Sequence, residues 1–218
     1  MSVRVALTRA RGGNDELARR LTGEPGIEVV ECPLIRIVPL DGPPIDGSSY
    51  DWVVLTSRFG AELFFARLSG RAPRVAAIGP GTAEAVRASG VEPALVARVS
   101  TQEGLLAELP EDPERVLFAG AADARELLAA ELGADVVPLY ETVEERPDPF
   151  PDADLVVLAS ASSARAFGRL ALGIPVVSIG PVTSAAAAAA GLDVVAEAEP
   201  HDVGGLAEAV KLAASRVP

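Results

Sequence analysis

Two α/β lobes built on parallel sheets and joined by a two-stranded connector ladder are the fold this sequence predicts. Three observations carry the expectation. Apolar runs of four to six residues alternate with Ala/Leu/Arg/Glu stretches of helical spacing, the pattern of parallel α/β units. The chain also repeats itself: Asp51-Trp52-Val53-Val54-Leu55-Thr56-Ser57 and Ala77-Ile78-Gly79-Pro80-Gly81-Thr82 return as Asp154-Leu155-Val156-Val157-Leu158-Ala159-Ser160 and Ser178-Ile179-Gly180-Pro181-Val182-Thr183. Two extended, proline-flanked segments, residues 33–39 and 138–143, interrupt the alternation.

Taken in order, the apolar runs predict strands at 3–8, 27–31, 51–56, 74–78, 93–96, 115–119, 135–138, 154–159, 175–179 and 193–196. Helices are expected at 14–22, 59–69, 81–89, 102–109, 123–132, 163–171, 182–190 and 203–215. Ser100 or Thr101 before Glu103, and Asp202 before the last helix, are the expected N-caps. Ala185 to Ala190 is apolar but short, and alanine favours helix, so it reads as a tightly packed helix. Five strands fall to each lobe, the number in a flavodoxin-like doubly wound sheet.

The echo extends to Val3-Arg4-Val5-Ala6-Leu7 against Glu114-Arg115-Val116-Leu117-Phe118, and to Gln102–Glu108 against Val203–Glu208. A split near Pro110–Pro113 and an interleaved split both accommodate it. The two matched connectors favour the interleaved one, with residues 1–36 and 144–218 in one lobe, 41–137 in the other, and connectors at 37–40 and 138–143. Both connectors alternate apolar and polar residues and are expected to pair as a ribbon.

Composition narrows the function. At 218 residues the chain suits two domains of about 100 each, and 49% hydrophobic with 4% aromatic residues means cores of Ala, Val and Leu. A net charge of −12 argues against nonspecific binding of nucleic acid or anionic membranes. Cys32 is the only cysteine and His201 the only histidine, so intrachain disulfides, cysteine-rich metal sites and Ser-His or Cys-His nucleophile systems lack material. The N-terminus has no apolar h-region, and no apolar run approaches the roughly 20 residues that span a bilayer. The expectation is a cytoplasmic monomer with no metal.

Chemistry is expected where strands lead into helix N-termini, at the carboxyl ends of the sheets. Thr56-Ser57-Arg58, Gly79-Pro80-Gly81-Thr82, Ser160-Ala161-Ser162-Ser163 and Gly180-Pro181-Val182-Thr183 sit there, each ending an apolar strand and starting a helix. Free N–H groups, helix partial charge and hydroxyls suit carboxylates or phosphates, although α/β proteins also need such loops as plain caps. There is no Walker sequence and no Gly-x-Gly-x-x-Gly opening a first helix. Tyr140 lies on a connector, and a neutral phenol with a pKa of about 10 can donate a proton at pH 7.

In combination these features resemble the uroporphyrinogen-III synthase family. The matching residues are Leu7-Thr8-Arg9, Asp51 to Ser57, Ala77-Ile78-Gly79-Pro80 with Thr82, Thr101-x-x-Gly104-Leu105, Arg125-x-x-Leu128, Val137 to Thr142, Ser160, and Ile179-Gly180-Pro181 with Thr183. The resemblance implies two flavodoxin-like lobes with the interleaved boundary. It also implies a cofactor-free cyclisation of hydroxymethylbilane, a linear tetrapyrrole polycarboxylate, with inversion of the terminal ring. Uncatalysed closure proceeds without inversion, so the task is chiefly one of positioning.

On this resemblance Tyr140 corresponds to the tyrosine that assists departure of the hydroxyl. Thr56, Ser57, Gly79, Thr82, Thr101, Ser160, Gly180 and Thr183 correspond to substrate-binding positions around the cleft, with Arg9 and Arg125 as anion partners. Two residues depart from the pattern: Ala161 stands where proline is common, and Ala119 where a basic residue often precedes Gly120. The second departure shifts carboxylate binding towards backbone N–H groups or another arginine such as Arg58. The competing reading is a two-lobed anion-binding or sensor protein without catalysis. A response-regulator or nucleotide-binding relative lacks its glycine fingerprint and its acidic cluster with lysine.

Overall fold

In a computed structural model, which describes residues 2–124 and 127–217, strands and helices alternate along most of the chain. The first half holds β1 (Val3–Leu7), β2 (Ile27–Glu31), β3 (Ile35–Pro39), the short β4 (Ile45–Asp46), β5 (Trp52–Leu55), the short β6 (Leu68–Ser69), β7 (Arg74–Ala77) and β8 (Leu95–Val96). The second half holds β9 (Val116–Ala121), β10 (Asp135–Glu144), β11 (Leu155–Leu158), β12 (Val176–Ser178) and β13 (Val194–Glu197). The helices are α1 (Asp15–Leu21), α2 (Arg58–Arg67), α3 (Pro80–Ala88), α4 (Gln102–Glu108), α5 (Leu127–Leu132), α6 (Ala161–Gly168), α7 (Pro181–Ala189) and α8 (Val203–Ala214).

The chain divides into two compact units, Met1–Ile37 with Val143–Pro218, and Val38–Thr142. The first carries a five-stranded sheet in the order β13-β12-β11-β1-β2. Its ladders are parallel. Numbered within the unit this is 2-1-3-4-5, the flavodoxin-like order. The second unit's sheet runs β3-β10-β9-β5-β7-β8, with parallel pairing from β10 through β8.

The sequence repeat explains why both sheets share one arrangement. Val5 opposes Leu155 in the first unit, and Val116 opposes Trp52 in the second. These are equivalent pairs once Asp51 is laid on Asp154. The aspartates themselves act alike. Asp154 accepts from the Arg4 N–H (2.8 Å), and Asp51 from the Arg115 N–H (3.3 Å). The second unit is thus the first with its strands taken in permuted chain order, β9 standing for β1 and β5 for β11.

Parallel strands covered on both faces read as continuous apolar runs. All four residues of β5 and of β11 are buried. Period-two alternation sorts their side chains: Val5, Leu7, Leu155 and Val157 pack with Leu17, Leu21, Leu206 and Val210 of α1 and α8. Ala6, Val156 and Leu158 pack on the other face with Ala164, Phe167 and Ala187 of α6 and α7. In the second unit Trp52, Val54, Ala76 and Phe118 meet Leu105 of α4 and Leu128 of α5.

The expected strand at 135–138 and the connector at 138–143 form one ten-residue strand, β10. Pro138 does not end it, because the register against β9 shifts between Pro138 and Tyr140, and a residue without N–H is tolerated at such an irregularity. β3 lies beside β10. Leu40 N–H donates to the Leu139 carbonyl and Glu145 N–H to the Leu34 carbonyl, both at 2.8 Å, so the partner number falls as β3 advances and the two run antiparallel. Helix α6 begins two residues before the expected position, because Ser160 caps it. No helix among the described residues is long and apolar enough to cross a membrane.

Two glycines occupy equivalent close approaches, Gly104 in α4 and Gly205 in α8. A Cβ on the first would run into the Val99 carbonyl oxygen, and on the second into that of Pro200. The loop before each helix therefore folds tightly over the helix's first turn. Gly205→Ala is expected to cost roughly 1–3 kcal/mol as overpacking against backbone that cannot swing away, read as a lower denaturant midpoint with unchanged slope.

Candidate functional site

In each sheet the chain reverses its direction of travel at one place, between β1 and β11 in the first unit and between β5 and β9 in the second. Ligands of open parallel sheets collect outside the strand carboxyl ends at such points. The residues there are Thr8-Arg9 and Ala159-Ser160 in one unit, and Thr56-Ser57 with Gly120, near the end of β9, in the other.

Tyr140 is brought to the second of these by the irregularity in β10. Pro138 opposes Gly120 and Tyr140 opposes Ala121, so Leu139 is an extra residue, and one extra residue changes the face on which the next side chain emerges. The Ala122 N–H then donates to the Tyr140 carbonyl at 2.8 Å, fixing the backbone beyond the shift. The phenol ends 2.8 Å from Ser57 Oγ. Ser57 is the N-cap of α2, and its Oγ accepts from the Gly60 N–H at 2.9 Å. Only 6% of Tyr140 is exposed. Burial raises its pKa above the ordinary tyrosine value; the Ser57 hydrogen bond lowers it, and the charge of Asp123 raises it further.

The remaining predicted residues of this unit occupy its strand-to-helix loops. Thr56 is half-buried, and its Oγ1 faces Gly120, 3.6 Å from where a Cβ would stand. Gly79 caps α3 without a side chain, and a Cβ there would strike Ser100 Oγ. Thr101 caps α4, accepting from the Gly104 N–H at 3.0 Å. Thr82 is 5% exposed, leaving little of its side chain open to a ligand. Arg58 is exposed and turns along α2 to Glu62 (3.0 Å). Ala119 is fully buried within β9.

The first unit repeats the pattern with different chemistry. Ser160 caps α6 but shares its hydroxyl with Ser162 (3.0 Å) and Ser163 (3.1 Å). Gly180 caps α7, with the His201 ring 3.2 Å from where its Cβ would be, and Thr183 is 4% exposed. Arg9 is half-buried, and its carbonyl accepts from Asn14 Nδ2 at 3.4 Å. Arg125 lies outside the described residues.

The position equivalent to Tyr140 in the first unit is Ile35. There the N–H groups of Cys32 and Leu34 go to the successive carbonyls of Leu7 and Thr8, so two residues advance against one beside Pro33, as they do from Pro138 to Tyr140 against Gly120 and Ala121. Pro33-Leu34-Ile35 therefore answers Pro138-Leu139-Tyr140. Leu34 and Leu139 are both fully buried, and Ile35 is 7% exposed. One unit keeps a hydroxyl at this position and the other a hydrocarbon.

Sequence reasoning missed a second asymmetry. Ser178 Oγ lies 2.6 Å from Ser184 Oγ, Ser184 donates to Glu197, and His201 Nε2 is 3.5 Å from Glu197. The corresponding residues of the second unit are Ala77, Ala83, Val96 and Ser100. Aligning the repeats position by position, rather than seeking motifs common to both, is the signal that would have found it. Asn14 was missed as well. It is 1% exposed and ties the Leu7 and Arg9 carbonyls together, and only its place after β1 hinted at this.

The family model described as Uroporphyrinogen-III synthase HemD matches residues 15–208. The chain belongs to the uroporphyrinogen-III synthase family. A putative uroporphyrinogen-III synthase of Methanocaldococcus jannaschii is 27% identical over 152 residues, so the match spans 65% of this chain and 63% of that protein. A mutant uroporphyrinogen III synthase from the extremely thermophilic bacterium Thermus thermophilus superimposes over 99% of this chain and 100% of its own, with a TM-score of 0.64 at 17% identity. The Helicobacter pylori uroporphyrinogen-III synthetase gives a TM-score of 0.64 at 15% identity, over 99% of each chain. At these identities the superpositions establish the shared fold.

For a uroporphyrinogen-III synthase family member, the state of Tyr140 is the property most open to direct measurement. The chain has only two tyrosines, so Tyr50→Phe leaves Tyr140 as the sole phenol. Its ultraviolet titration is expected above the ordinary value of about 10, with no phenolate through the neutral range. A midpoint at or below that value would contradict the buried, hydrogen-bonded geometry.

Proposed function

We propose that the chain catalyses the closure of hydroxymethylbilane to uroporphyrinogen III with inversion of the terminal ring, in tetrapyrrole biosynthesis. The observation that carries the mechanism is the buried Tyr140 hydroxyl, 2.8 Å from Ser57 Oγ at the reversal point of the second sheet. Family membership supplies the reaction, and this hydroxyl supplies a proton donor suited to its first step.

The departing group is a hydroxide, a poor leaving group unless it receives a proton. Tyr140, kept protonated by burial, donates to that oxygen as the C–O bond breaks. Water leaves, and the pyrrole nitrogen lone pair fills the vacancy to give a cationic azafulvene. The free end then attacks, passes through the spiro intermediate and recloses with the last ring inverted. A proton is released when the final pyrrole regains aromaticity, so the sum is bilane to macrocycle plus water.

Holding the bilane in one folded geometry is the larger task, since unassisted closure gives the non-inverted isomer. The substrate's acetate and propionate groups meet helix N-termini well. In this reading each unit offers anion-accepting groups of its own: in the second, the N–H groups opening α2 and α3, the hydroxyls of Thr56 and Thr101 and the Arg58 guanidinium; in the first, the N–H groups opening α6 and α7, the Ser160 hydroxyl and the Arg9 guanidinium. The four strand-to-helix stretches carry no carboxylate, although the whole chain has a net charge of −12. Distant acidic residues matter less, because screening limits their reach to roughly 10 Å at 0.1 M salt.

The test is to incubate the protein with enzymatically made hydroxymethylbilane and separate the uroporphyrinogen isomers. Type III is the expected product, and type I alone would sink the catalytic reading in favour of a non-catalytic anion binder. Tyr140→Phe is expected to slow type III formation by roughly 10- to 1,000-fold. An unchanged rate would remove the phenol from the mechanism while leaving the positioning role intact.

A further inference from the structure

We propose that Ser57 is a positioning residue for Tyr140 rather than a ligand for a substrate carboxylate. Its hydroxyl, anchored by the Gly60 N–H, donates to the Tyr140 oxygen and holds that bond as the oxygen gives up its proton. The inference rests on the cyclase reading above and assigns a role to a contact that the reading leaves undefined.

Counting protons leads to it. Ser57 Oγ has one proton and two lone pairs, and one lone pair takes the Gly60 N–H at 2.9 Å. The Tyr140 oxygen has one proton and stands 2.8 Å away, where either atom can donate. Whichever does, one hydroxyl proton of the pair has no partner within it. With Ser57 donating, the free proton is the phenol's, available to the departing hydroxyl. After transfer the Tyr140 oxygen is an anion, and the Ser57 O–H already points at it. The Gly60 N–H belongs to the first turn of α2, where helix partial charge favours a negative group. Serine thereby transmits the pull of the helix terminus to a phenolate held away from water.

The first unit provides the control. Ser160 caps α6 in the same way, accepting from the Ser163 N–H at 3.1 Å, but Ile35 stands where Tyr140 would be. Its hydroxyl turns to Ser162 and Ser163 within its own helix. Capping therefore does not require the tyrosine, and the Ser57–Tyr140 contact is additional to it. Engagement with Tyr140 also leaves Ser57 with less capacity for a carboxylate than an unengaged cap would have.

Ser57→Ala, Ser57→Gly and Ser57→Thr separate the roles, since glycine costs a helix N-cap little and threonine keeps both cap and hydroxyl. The expected result is a fall of roughly 5- to 100-fold in kcat with little change in KM for Ala and Gly, and recovery for Thr. In the Tyr50→Phe background, Ser57→Gly should also move the Tyr140 titration upward, because a hydrogen bond favouring the phenolate has gone. A raised KM with unchanged kcat would overturn the proposal and return Ser57 to carboxylate binding. An unmoved titration in Ser57→Gly would overturn it as well. The titration needs no substrate, so it judges the pair even if the protein makes no type III isomer, an outcome that would instead defeat the cyclase reading.

Discussion

Each sheet of this protein depends on a parallel pairing at its centre between segments far apart in the chain. β1 reaches β11 across some 150 residues (Val5 to Leu155), and β5 reaches β9 across more than sixty (Trp52 to Val116). Each pairing is registered by an aspartate bonded to the neighbouring strand's backbone, Asp154 at Arg4 and Asp51 at Arg115. Both joins are also the places where strand order reverses, so the constraint that closes each sheet also opens a loop-lined site at its carboxyl edge. Fold and candidate chemistry therefore have one origin.

The two units show what duplication preserved and what it released. Caps, close glycines and the proline-marked irregularity recur in both: Ser57 and Ser160, Gly104 and Gly205, Pro138 and Pro33. These are backbone devices, required wherever a strand of this sheet must hand the chain to a helix. Side chains that perform no backbone task have diverged. Tyr140 faces Ser57 where the other unit has Ile35, and the Ser178–Ser184–Glu197–His201 chain answers to Ala77, Ala83, Val96 and Ser100. The acid–base chemistry proposed above is to be sought in these mismatches, whereas the recurring caps and N–H groups serve the fold and the proposed anion binding together.

That division also explains what could be read from the sequence. Strands such as Trp52–Leu55 and Leu155–Leu158 were legible because both faces are buried and their apolar runs are continuous. Thr101 and Asp202 announced their helices as caps, and each accepts from the N–H three residues on. Ser160 does the same, but Ala161 and Ser162 read as loop, so the expected start of its helix falls two residues late. β10 was cut short for a related reason: Pro138 reads as a terminator until the register shift beside it is seen. Tyr140 was singled out from its connector and from resemblance, but its contact with Ser57 was not legible, since it depends on that same shift. The Glu197 network and Asn14 were hidden because their polar atoms meet only after the strands are placed side by side.

The role proposed for Tyr140 is to supply a proton to a poor leaving group, and changing the leaving group tests that role most directly. A bilane whose terminal hydroxyl is replaced by an acyloxy group departs as a carboxylate and needs no proton. Tyr140→Phe, impaired with hydroxymethylbilane, is expected to form the type III isomer from the acyloxy substrate at close to the rate of the unaltered protein. An equal impairment with both substrates would contradict it, and would give Tyr140 a part in holding the bilane rather than in breaking the C–O bond.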